Sequence, residues 1–375
     1  MYMNSKYDTL YIEGEFWENK QRNSNPINEV PYRACFKPNL VQYFIENYST
    51  NGDIVYDPFA GRGTVPVTAA LYKRIPIYND INPLCKILTH PRLMHPNKDE
   101  ISKTICELEL YNTDDYSNDD MYSNLLVFYH KNTLNQLYHL KSILHENTGN
   151  SVYDWIRMIA TTRLSGHSSG YFSVYTLPPN QACTIDSQRK INNKLQQSPE
   201  EKDVKSLILK KSNSMLKQEL PNIKPYLELC CDAACTSDIP DSCIQLTVTS
   251  PPFLNTVDYK TDNWLRCWFN DIDINNIQFT NTPNLNDWIV KMKDVFTELY
   301  RITKLNGYVA FEVGEVNNGK INLDEYIVDI ASETNFKVQN ILINNQFFTK
   351  TSNIWGISNN KKGTNTNRIV VCKKI

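Results

Sequence analysis

Four residues whose types could do chemistry follow the apolar run at residues 244–248: Ser250, Pro251, Pro252 and Phe253. Two consecutive prolines lock φ and remove two backbone donors, so this loop should be rigid and rich in hydrogen-bond acceptors. The Ser250 hydroxyl oxygen and the Pro251 carbonyl could accept both N–H bonds of an exocyclic amino group while Phe253 stacks on the attached ring. The pattern therefore predicts a site for an aminated planar ring; a turn that only ends a strand is the alternative.

A second informative string is IVYDPFAGRGT at residues 54–64, a short apolar strand that runs into a turn with Gly61 and Gly63 before a helix-like stretch. Small residues let the backbone approach a ligand at the carboxyl end of a strand, where open α/β sheets bind cofactors. The next apolar stretch, IPIYNDINP at residues 75–83, contains Asp80, an acid placed to bind ribose hydroxyls. This order of strand, glycine turn, helix, strand and acid predicts a cofactor that contains a nucleoside.

The strings DPFAGRGT, NDINP and TSPPF together resemble the amino-group methyltransferases that use S-adenosylmethionine. They resemble in particular the branch that methylates DNA at cytosine N4, whose catalytic loop begins with serine. The related adenine-N6 branch usually has Asp or Asn where this chain has Ser250. The resemblance covers residues 30–95 and 226–315, and it implies double-stranded DNA as substrate, with a cognate restriction endonuclease as a possible partner.

The resemblance implies that the catalytic loop holds a flipped cytosine. The cytosine amino nitrogen is a weak nucleophile, but the sulfonium methyl is a strong electrophile, so alignment should supply most of the rate without a covalent intermediate. Methylation at C5 would need an activated cysteine, usually after a proline, and the chain contains no Pro-Cys pair. The residues expected to be catalytic are Ser250, Pro251, Pro252, Phe253 and, as a proton relay, Asp258.

The resemblance also implies a set of residues that bind S-adenosylmethionine. The glycine turn would contact the methionine part, Asp80 the ribose and Asp232 the adenine, while Lys37 and Pro38 would close over the methionine carboxylate. The expected cofactor-binding residues are Lys37, Pro38, Asp57, Pro58, Phe59, Gly61, Gly63, Thr64, Asp80, Ile81 and Asp232.

The elements that must position these motifs are apolar strands separated by helical stretches, which indicates an α/β fold. By resemblance the fold is a Rossmann-like, seven-stranded mixed sheet with helices on both faces and a mainly helical insertion. We expect residues 1–95 to form the N-terminal part of the catalytic domain, residues 96–225 the insertion and residues 226–375 the C-terminal part. An amphipathic helix at residues 287–307 is expected to end in a cap at Gly307.

The insertion is the candidate target-recognition region. Residues 151–225 contain 11 Lys or Arg against 6 Asp or Glu, which predicts salt-sensitive phosphate contacts. An irregular segment at residues 164–187 adds side chains that can read base edges or stack on bases. An inert helical cap is the alternative. The candidate nucleic-acid-binding residues are His167, Tyr171, Tyr175, Asn180, Arg189, Lys190, Lys194, Lys210 and Lys211.

Net charge, apolar runs and cysteine spacing limit the classes to which this protein could belong. The formal net charge of -2 over 375 residues gives no global signature of nucleic-acid affinity. No apolar run approaches the roughly 20 residues that span a bilayer, and the first residues are too polar for a signal peptide, so we expect a cytoplasmic protein without membrane contact. No metal is expected, because the closest group of cysteines lacks a usual zinc spacing. That group is Cys230, Cys231, Cys235 and Cys243.

Three other functions stay open on these residues. The loop demands only a planar ring with an amino group, so the substrate could be adenine N6 in DNA or an amino group in RNA. The chain could also be a nucleic-acid-binding subunit that keeps the cofactor fold without turnover, although intact motifs argue against this. A nicotinamide dehydrogenase is disfavoured because the turn with Gly61 and Gly63 lacks a third glycine.

Overall fold

A computed structural model places most of the chain in one α/β assembly, and the strands are the first part of it. The described residues are 1–4, 9–16, 25–35, 37–111, 116–177, 181–218, 220–254, 257–279, 282–316, 320–345 and 366–375. Within them the strands are β1 (Tyr2–Asn4), β2 (Thr9–Gly14), β3 (Ile54–Asp57), β4 (Ile75–Asn79), β5 (Leu227–Leu229), β6 (Ile244–Thr249), β7 (Thr303–Val313), β8 (Glu315–Val316), β9 (Ile321–Asn322), β10 (Phe336–Asn345) and β11 (Thr366–Lys374).

Nine of these strands form one mixed sheet in the order β1-β2-β10-β11-β7-β6-β3-β4-β5, and β8 pairs with β9 in a separate ribbon. Strands β7, β6, β3, β4 and β5 run parallel, whereas β11 is antiparallel to both of its neighbours, β7 and β10. The prediction of seven strands was wrong. The two additional strands are β1 and β2 from the polar N-terminal segment: β2 pairs in parallel with β10 and buries Tyr11.

Helices cover both faces of this sheet. The described α-helices are α1 (Pro38–Tyr48), α2 (Thr64–Leu71), α3 (Leu84–Leu93), α4 (Lys98–Glu107), α5 (Tyr122–Leu125), α6 (Lys131–Glu146), α7 (Ser151–Arg163), α8 (Ile185–Leu195), α9 (Val204–Met215), α10 (Tyr259–Phe269), α11 (Leu285–Ile302) and α12 (Leu323–Glu333). Successive side chains of a strand point to opposite faces. Accordingly Phe311 of β7 packs with Phe296 of α11, at 4.8 Å between ring centroids, while Ala310 lies in the core that contains Phe44 of α1.

Residues 96–225 are mainly helical, as predicted, and share one core with helices α3 and α10. Trp155 of α7 is fully buried in that core together with Leu88 of α3 and Leu265 of α10. The Trp155 indole N–H also donates to the Ser212 hydroxyl of α9 at 3.0 Å. The helical region is therefore packed onto the part of the chain that carries the SPPF loop; its limits as a domain stay a prediction.

The helix predicted to end at Gly307 ends five residues earlier, at Ile302, and β7 begins at once. The Ile302 carbonyl accepts a hydrogen bond from the backbone N–H of Cys243, the residue before β6. The chain therefore begins to pair with β6 where the helix ends. Gly307 does not cap the helix; glycine is needed there because backbone atoms of other residues lie close to it. A Cβ there would lie 2.9 Å from the Lys304 carbonyl oxygen and 3.0 Å from that of Ile244.

Candidate active site

The two motifs predicted from the sequence meet at one edge of the sheet. Strands β3 and β6 are parallel neighbours, so the turn that follows Asp57 and the loop that follows Thr249 leave the sheet at the same edge. The Thr249 hydroxyl donates to Oδ1 of Asp57 at 2.7 Å and ties the two strand ends together. Both motifs line the same pair of adjoining cavities.

The larger cavity has a volume of about 380 Å³. Its walls combine Ser250, Pro251 and Phe253 of the loop with Gly61 and Thr64 of the turn. A cavity of this size, with aromatic side chains and several polar ones in its walls, is typical of a small-ligand site. The residues predicted to hold an aminated ring are thus together on one cavity wall.

The smaller cavity, of about 150 Å³, extends towards the ends of β4 and β5. Asp80, Ile81 and Asp232 line it, with Pro58 and Pro252. The structure therefore brings the acid after β4 and the acid after β5 to one cavity, while their roles in binding a cofactor stay predictions. The residues that line both cavities are Tyr32, Ala34, Phe59, Gly61, Ser250 and Tyr259.

Asp80 is oriented by two backbone donors. Gly61 N–H donates to its Oδ2 at 2.8 Å and Asn82 N–H donates to its Oδ1 at 2.9 Å. Burial outweighs these bonds and raises the pKa of Asp80 to about 6. The Gly61 turn and Asp80 consequently form one unit, in which the carboxylate is fixed before any ligand binds.

Asp57 is 1% exposed, and one of its oxygens has no partner among the described residues. Its Oδ1 accepts from Phe59 N–H at 3.1 Å and from Thr249, whereas no described residue donates to Oδ2. Burial raises the pKa of Asp57 to about 7. Asp57 lines neither cavity, so its predicted contact with the cofactor stays a prediction.

Glycine is required in the turn for two separate reasons. Gly61 and Gly63 have positive φ, 53° and 75°, where a side chain is strained. A Cβ on Gly63 would lie 2.1 Å from the Thr89 hydroxyl oxygen, so helix α2 could not pack on α3. Gly63 therefore supports the turn by letting α2 pack on α3, and it lines neither cavity.

The N-terminal segment reaches the site through residues other than the expected ones. Lys37 and Pro38 start helix α1 and line neither of the two cavities, whereas Tyr32 and Ala34 line both. Burial lowers the pKa of Lys37, while the charge of Glu312 opposes this shift. Lys37 is thus oriented towards the acid of β7, and its predicted contact with a methionine carboxylate has no support from the cavity walls.

Asp258 lies beside the larger cavity but not on its wall, and its role as a proton relay stays a prediction. It caps helix α10: Thr261 N–H donates to Oδ1 at 3.1 Å and the Thr261 hydroxyl donates to Oδ2 at 2.6 Å. These bonds hold the pKa of Asp258 below its usual value. The carboxylate lines neither cavity, so helix capping is the role that its geometry supports.

Glu312 is a carboxylate in the site that the sequence reasoning missed. It lies on β7, is 9% exposed, and lines the larger cavity with Ser250 and Asn367. Burial raises its pKa to about 7, although hydrogen bonds from the side chains of Asn367 and Ser250 favour the charged form. The available signal was a lone acid within the apolar run YVAFEV, since a charge inside a buried strand needs a reason.

The wall opposite the glycine turn comes from residues after the SPPF loop, which carried no sequence signal. Gln278 and Phe279 line the smaller cavity. The rings of Phe279 and Tyr259 stack at 6.0 Å between centroids with an interplanar angle of 15°. Above the larger cavity, Nη1 of Arg33 lies 3.1 Å from Oδ2 of the buried Asp262.

The predicted nucleic-acid-binding residues fall into different environments. His167 is exposed and lines a separate polar cavity of about 260 Å³ with Tyr175. Tyr171 is half-buried, and the Arg163 guanidinium lies 4.2 Å from its ring centroid and covers one face of the ring. Asn180 lies outside the described residues.

The predicted cationic residues also differ in accessibility. Lys190, Lys194 and Lys210 are exposed, and Arg189 is exposed next to Asp186 at 3.1 Å. The Lys211 side chain is only 11% exposed; its Nζ lies 3.2 Å from Glu29, and burial lowers its pKa. Lys211 is therefore engaged within the fold and is not a solvent-facing phosphate contact.

Neither a membrane span nor a metal cluster is found in the described part of the chain. No helix there is both long enough and apolar enough to cross a bilayer. The same residues contain no group of three or more His, Cys, Asp or Glu side chains arranged to hold a metal ion.

The glycine turn lies in a part of the chain that is similar to known protein sequences. A family model described as DNA methylase, that of the N6/N4 methyltransferases, matches residues 3–88, which include the turn but not the SPPF loop. The Type II methyltransferase M.BsoBI of Geobacillus stearothermophilus is 24% identical over 385 residues, 87% of this chain and 75% of that protein. The Type II methyltransferase M.MjaII of Methanocaldococcus jannaschii is 29% identical over 89 residues, which span 24% of this chain but only 17% of that protein.

Solved structures give weaker matches. A SAM-dependent methyltransferase of Methanosarcina mazei has a TM-score of 0.37 at 10% identity, covering 88% of this chain and 97% of its own. A putative DNA modification methylase of Thermus thermophilus, complexed with S-adenosyl-L-methionine, has a TM-score of 0.24 at 18% identity, covering 38% of this chain and 53% of its own. TM-scores this low do not establish a common fold. The sequence similarity is to a DNA methylase family and to Type II methyltransferases.

Proposed function

We propose that this protein is a site-specific DNA methyltransferase that transfers a methyl group from S-adenosylmethionine to the N4 amino group of cytosine in duplex DNA. We further propose that it acts in the cytoplasm as part of a restriction-modification system. The observation that carries the proposal is the junction of two cavities at Ser250, one lined by the SPPF loop and the other by Asp80 and Asp232.

The smaller cavity and its rim are the proposed cofactor site. Asp80 would hold the ribose hydroxyls, Asp232 and Ile81 would flank the adenine, and the Gly61 backbone would face the amino acid part. When bound, S-adenosylmethionine supplies an electrophilic methyl group. The pre-ordered hydrogen bonds at Asp80 reduce the entropic cost of holding the ligand.

The larger cavity is the proposed acceptor site. Phe253 would stack on the flipped base, and the Ser250 oxygen and the Pro251 carbonyl would accept the two amino N–H bonds. Trp288 donates its indole N–H to the Pro252 carbonyl at 2.9 Å, which fixes the loop from behind. A rigid loop of this kind orients the amino nitrogen before reaction, and orientation is the main contribution that such a site can make.

A proton must leave the amino nitrogen as the new N–C bond forms, and we assign its uptake to Glu312. The carboxylate is buried beside Ser250, with a pKa of about 7, so it is partly ionised at neutral pH and able to accept a proton. The proton would pass through the Ser250 hydroxyl: the serine oxygen takes a proton from the amino group while the serine gives its own proton to Glu312. Glu312 thus replaces Asp258 as the proposed proton acceptor.

DNA would lie across the opening of the larger cavity and along the helical region. Lys190, Lys194 and Lys210 are exposed there and could contact phosphates without reading sequence. Arg33, above the larger cavity, is tied to Asp262 and adds a cationic group near the acceptor site. Because these contacts are electrostatic, DNA binding should weaken steeply as the salt concentration rises.

The acceptor base is tested by incubating the purified protein with S-adenosylmethionine that carries a deuterated methyl group and with duplex DNA, single-stranded DNA or RNA. The nucleosides are then analysed by mass spectrometry. We expect labelled N4-methylcytosine from duplex DNA. Labelled N6-methyladenine would move the assignment to the adenine branch, and label confined to RNA would overturn the DNA assignment.

A further inference from the structure

The boundary between the two cavities has an unusual composition. Six described residues line both cavities, and none of them carries a formal charge: Tyr32, Ala34, Phe59, Gly61, Ser250 and Tyr259. The acids of the site lie to either side, since Asp80 lines only the smaller cavity and Glu312 only the larger one. The residues that form the boundary therefore offer a bound group aromatic rings and a hydroxyl, but no carboxylate.

A methyl donor places its cationic sulfur at this boundary, because the methyl group must face the acceptor in the neighbouring cavity. Transfer removes the positive charge and leaves a neutral thioether. Among the residues that line both cavities, the groups that favour the cation are the aromatic rings, beside the Asp80 carboxylate, whose charge acts on both Tyr32 and Tyr259. Tyr32, Phe59 and Tyr259 provide three such rings from three different parts of the chain.

Both tyrosines are held in place by neighbours outside the cavities. Tyr259 is the first residue of α10, and its ring stacks on Phe279. The Tyr32 hydroxyl accepts a hydrogen bond from the Asn263 side chain at 3.4 Å, and the Arg266 guanidinium lies 5.5 Å from the ring centroid. These contacts fix the rings independently of any ligand, as a positioning role requires.

We propose that Tyr259, together with Tyr32, positions the sulfonium group at the cavity boundary and makes the site distinguish the cationic donor from its neutral product, S-adenosylhomocysteine. The inference rests on S-adenosylmethionine as the donor and is independent of which base accepts the methyl group. Its consequence is that the product is held less tightly than shape alone would allow, which favours its release after transfer.

The test is the ratio of two dissociation constants, for S-adenosylhomocysteine and for S-adenosylmethionine, measured by isothermal titration calorimetry. In Tyr259→Leu, which removes the ring, we expect the affinity for S-adenosylmethionine to fall about 3- to 10-fold more than that for S-adenosylhomocysteine. Tyr259→Phe keeps the ring and should keep the ratio. Tyr226→Leu, at an exposed tyrosine that lines neither cavity, is the matched control and should change neither constant.

Equal weakening of both ligands in Tyr259→Leu would show that the ring contributes only shape and would overturn the inference. Tyr32→Leu and Tyr32→Phe give a second, independent pair on another element, with folding checked by thermal unfolding. An unchanged ratio in both leucine variants likewise overturns it. If the wild-type protein binds neither ligand, the cofactor assignment itself fails, which is a different result from a normal affinity with an unaltered ratio.

Discussion

The Thr249 hydroxyl donates to Oδ1 of Asp57 at 2.7 Å, although the two residues are 192 positions apart in the chain. This bond joins the last residue of β6 to the last residue of β3, where the SPPF loop and the glycine turn begin. Asp57 is buried, so the bond also satisfies one of its two carboxylate oxygens. The relative position of the two motifs therefore depends on a buried polar contact as well as on the pairing of the strands.

Replacing this donor should reduce stability. In Thr249→Val, Asp57 loses a hydrogen bond inside the fold, and we expect the free energy of unfolding to fall by about 1–3 kcal/mol. Thr247→Val is the matched control, because the Thr247 hydroxyl is also buried on β6 but has no hydrogen-bond partner in the described part of the chain. Urea denaturation of both variants measures the difference, and equal losses would show that the bond to Asp57 contributes nothing specific.

Stability should also respond to pH through Glu312. Burial raises its pKa from 4.5 to about 7 in the folded protein, so between these values the folded state binds more protons than the unfolded state. The stabilisation is then fully present below pH 4.5 and is lost as the pH rises through 7, by at most about 3 kcal/mol. Glu312→Gln removes this group, so the free energy of unfolding should fall less between about pH 5 and about pH 8 than in the wild type. Identical pH profiles would contradict the proposed burial of the charge.

The same residue should control turnover. As the proposed proton acceptor, Glu312 must be ionised, so kcat should rise with pH through about 7. In Glu312→Gln we expect kcat to fall about 10²- to 10⁴-fold and this rise to disappear, with the affinity for S-adenosylmethionine near normal. Asp258→Asn is the comparison, and a helix cap should cost stability but leave kcat within a few-fold. A larger loss of kcat in Asp258→Asn than in Glu312→Gln would restore the original assignment of the relay.

The cofactor site should respond to a different change. Asp80 lines the smaller cavity and accepts two backbone hydrogen bonds, so Asp80→Ala removes both the proposed ribose contact and the support of the Gly61 turn. We expect the dissociation constant for S-adenosylmethionine to rise at least about tenfold, a loss of one strong hydrogen bond to a charged group. Calorimetric titration measures it, and unchanged affinity would remove Asp80 from the cofactor site.

The parts of the site that the sequence predicted were those encoded locally. A strand followed by Gly61 and Gly63, or by two prolines, carries its own backbone requirements, and Asp80 and Asp232 come within three residues of the ends of their strands. The parallel pairing of β3 with β6 then brought these strings to the same edge of the sheet. The placement of most motif residues around the cavities could therefore be anticipated without coordinates.

The missed residues depend on contacts between distant segments. Glu312 reaches the site because β7 pairs with β6, and Tyr32 reaches it because the N-terminal segment packs on α10. Phe279 becomes a cavity wall only through its stacking on Tyr259. Strands β1 and β2 were missed for a related reason, since β2 pairs with β10 from the far end of the chain. Periodicity in one segment cannot encode which distant segment will cover it.

We expect the loop at Phe253 and the smaller cavity at Asp80 to serve one reaction, and methyl transfer by a loop variant is the sharpest test of this expectation. Transfer of a tritiated methyl group from S-adenosylmethionine to duplex DNA is measured for the wild type and for Phe253→Ala, with the dissociation constant for S-adenosylmethionine measured in parallel. We predict that Phe253→Ala loses most of its turnover while binding the cofactor within about threefold of the wild type. Full methyl transfer by Phe253→Ala would show that the Phe253 ring of the SPPF loop is not needed for the reaction.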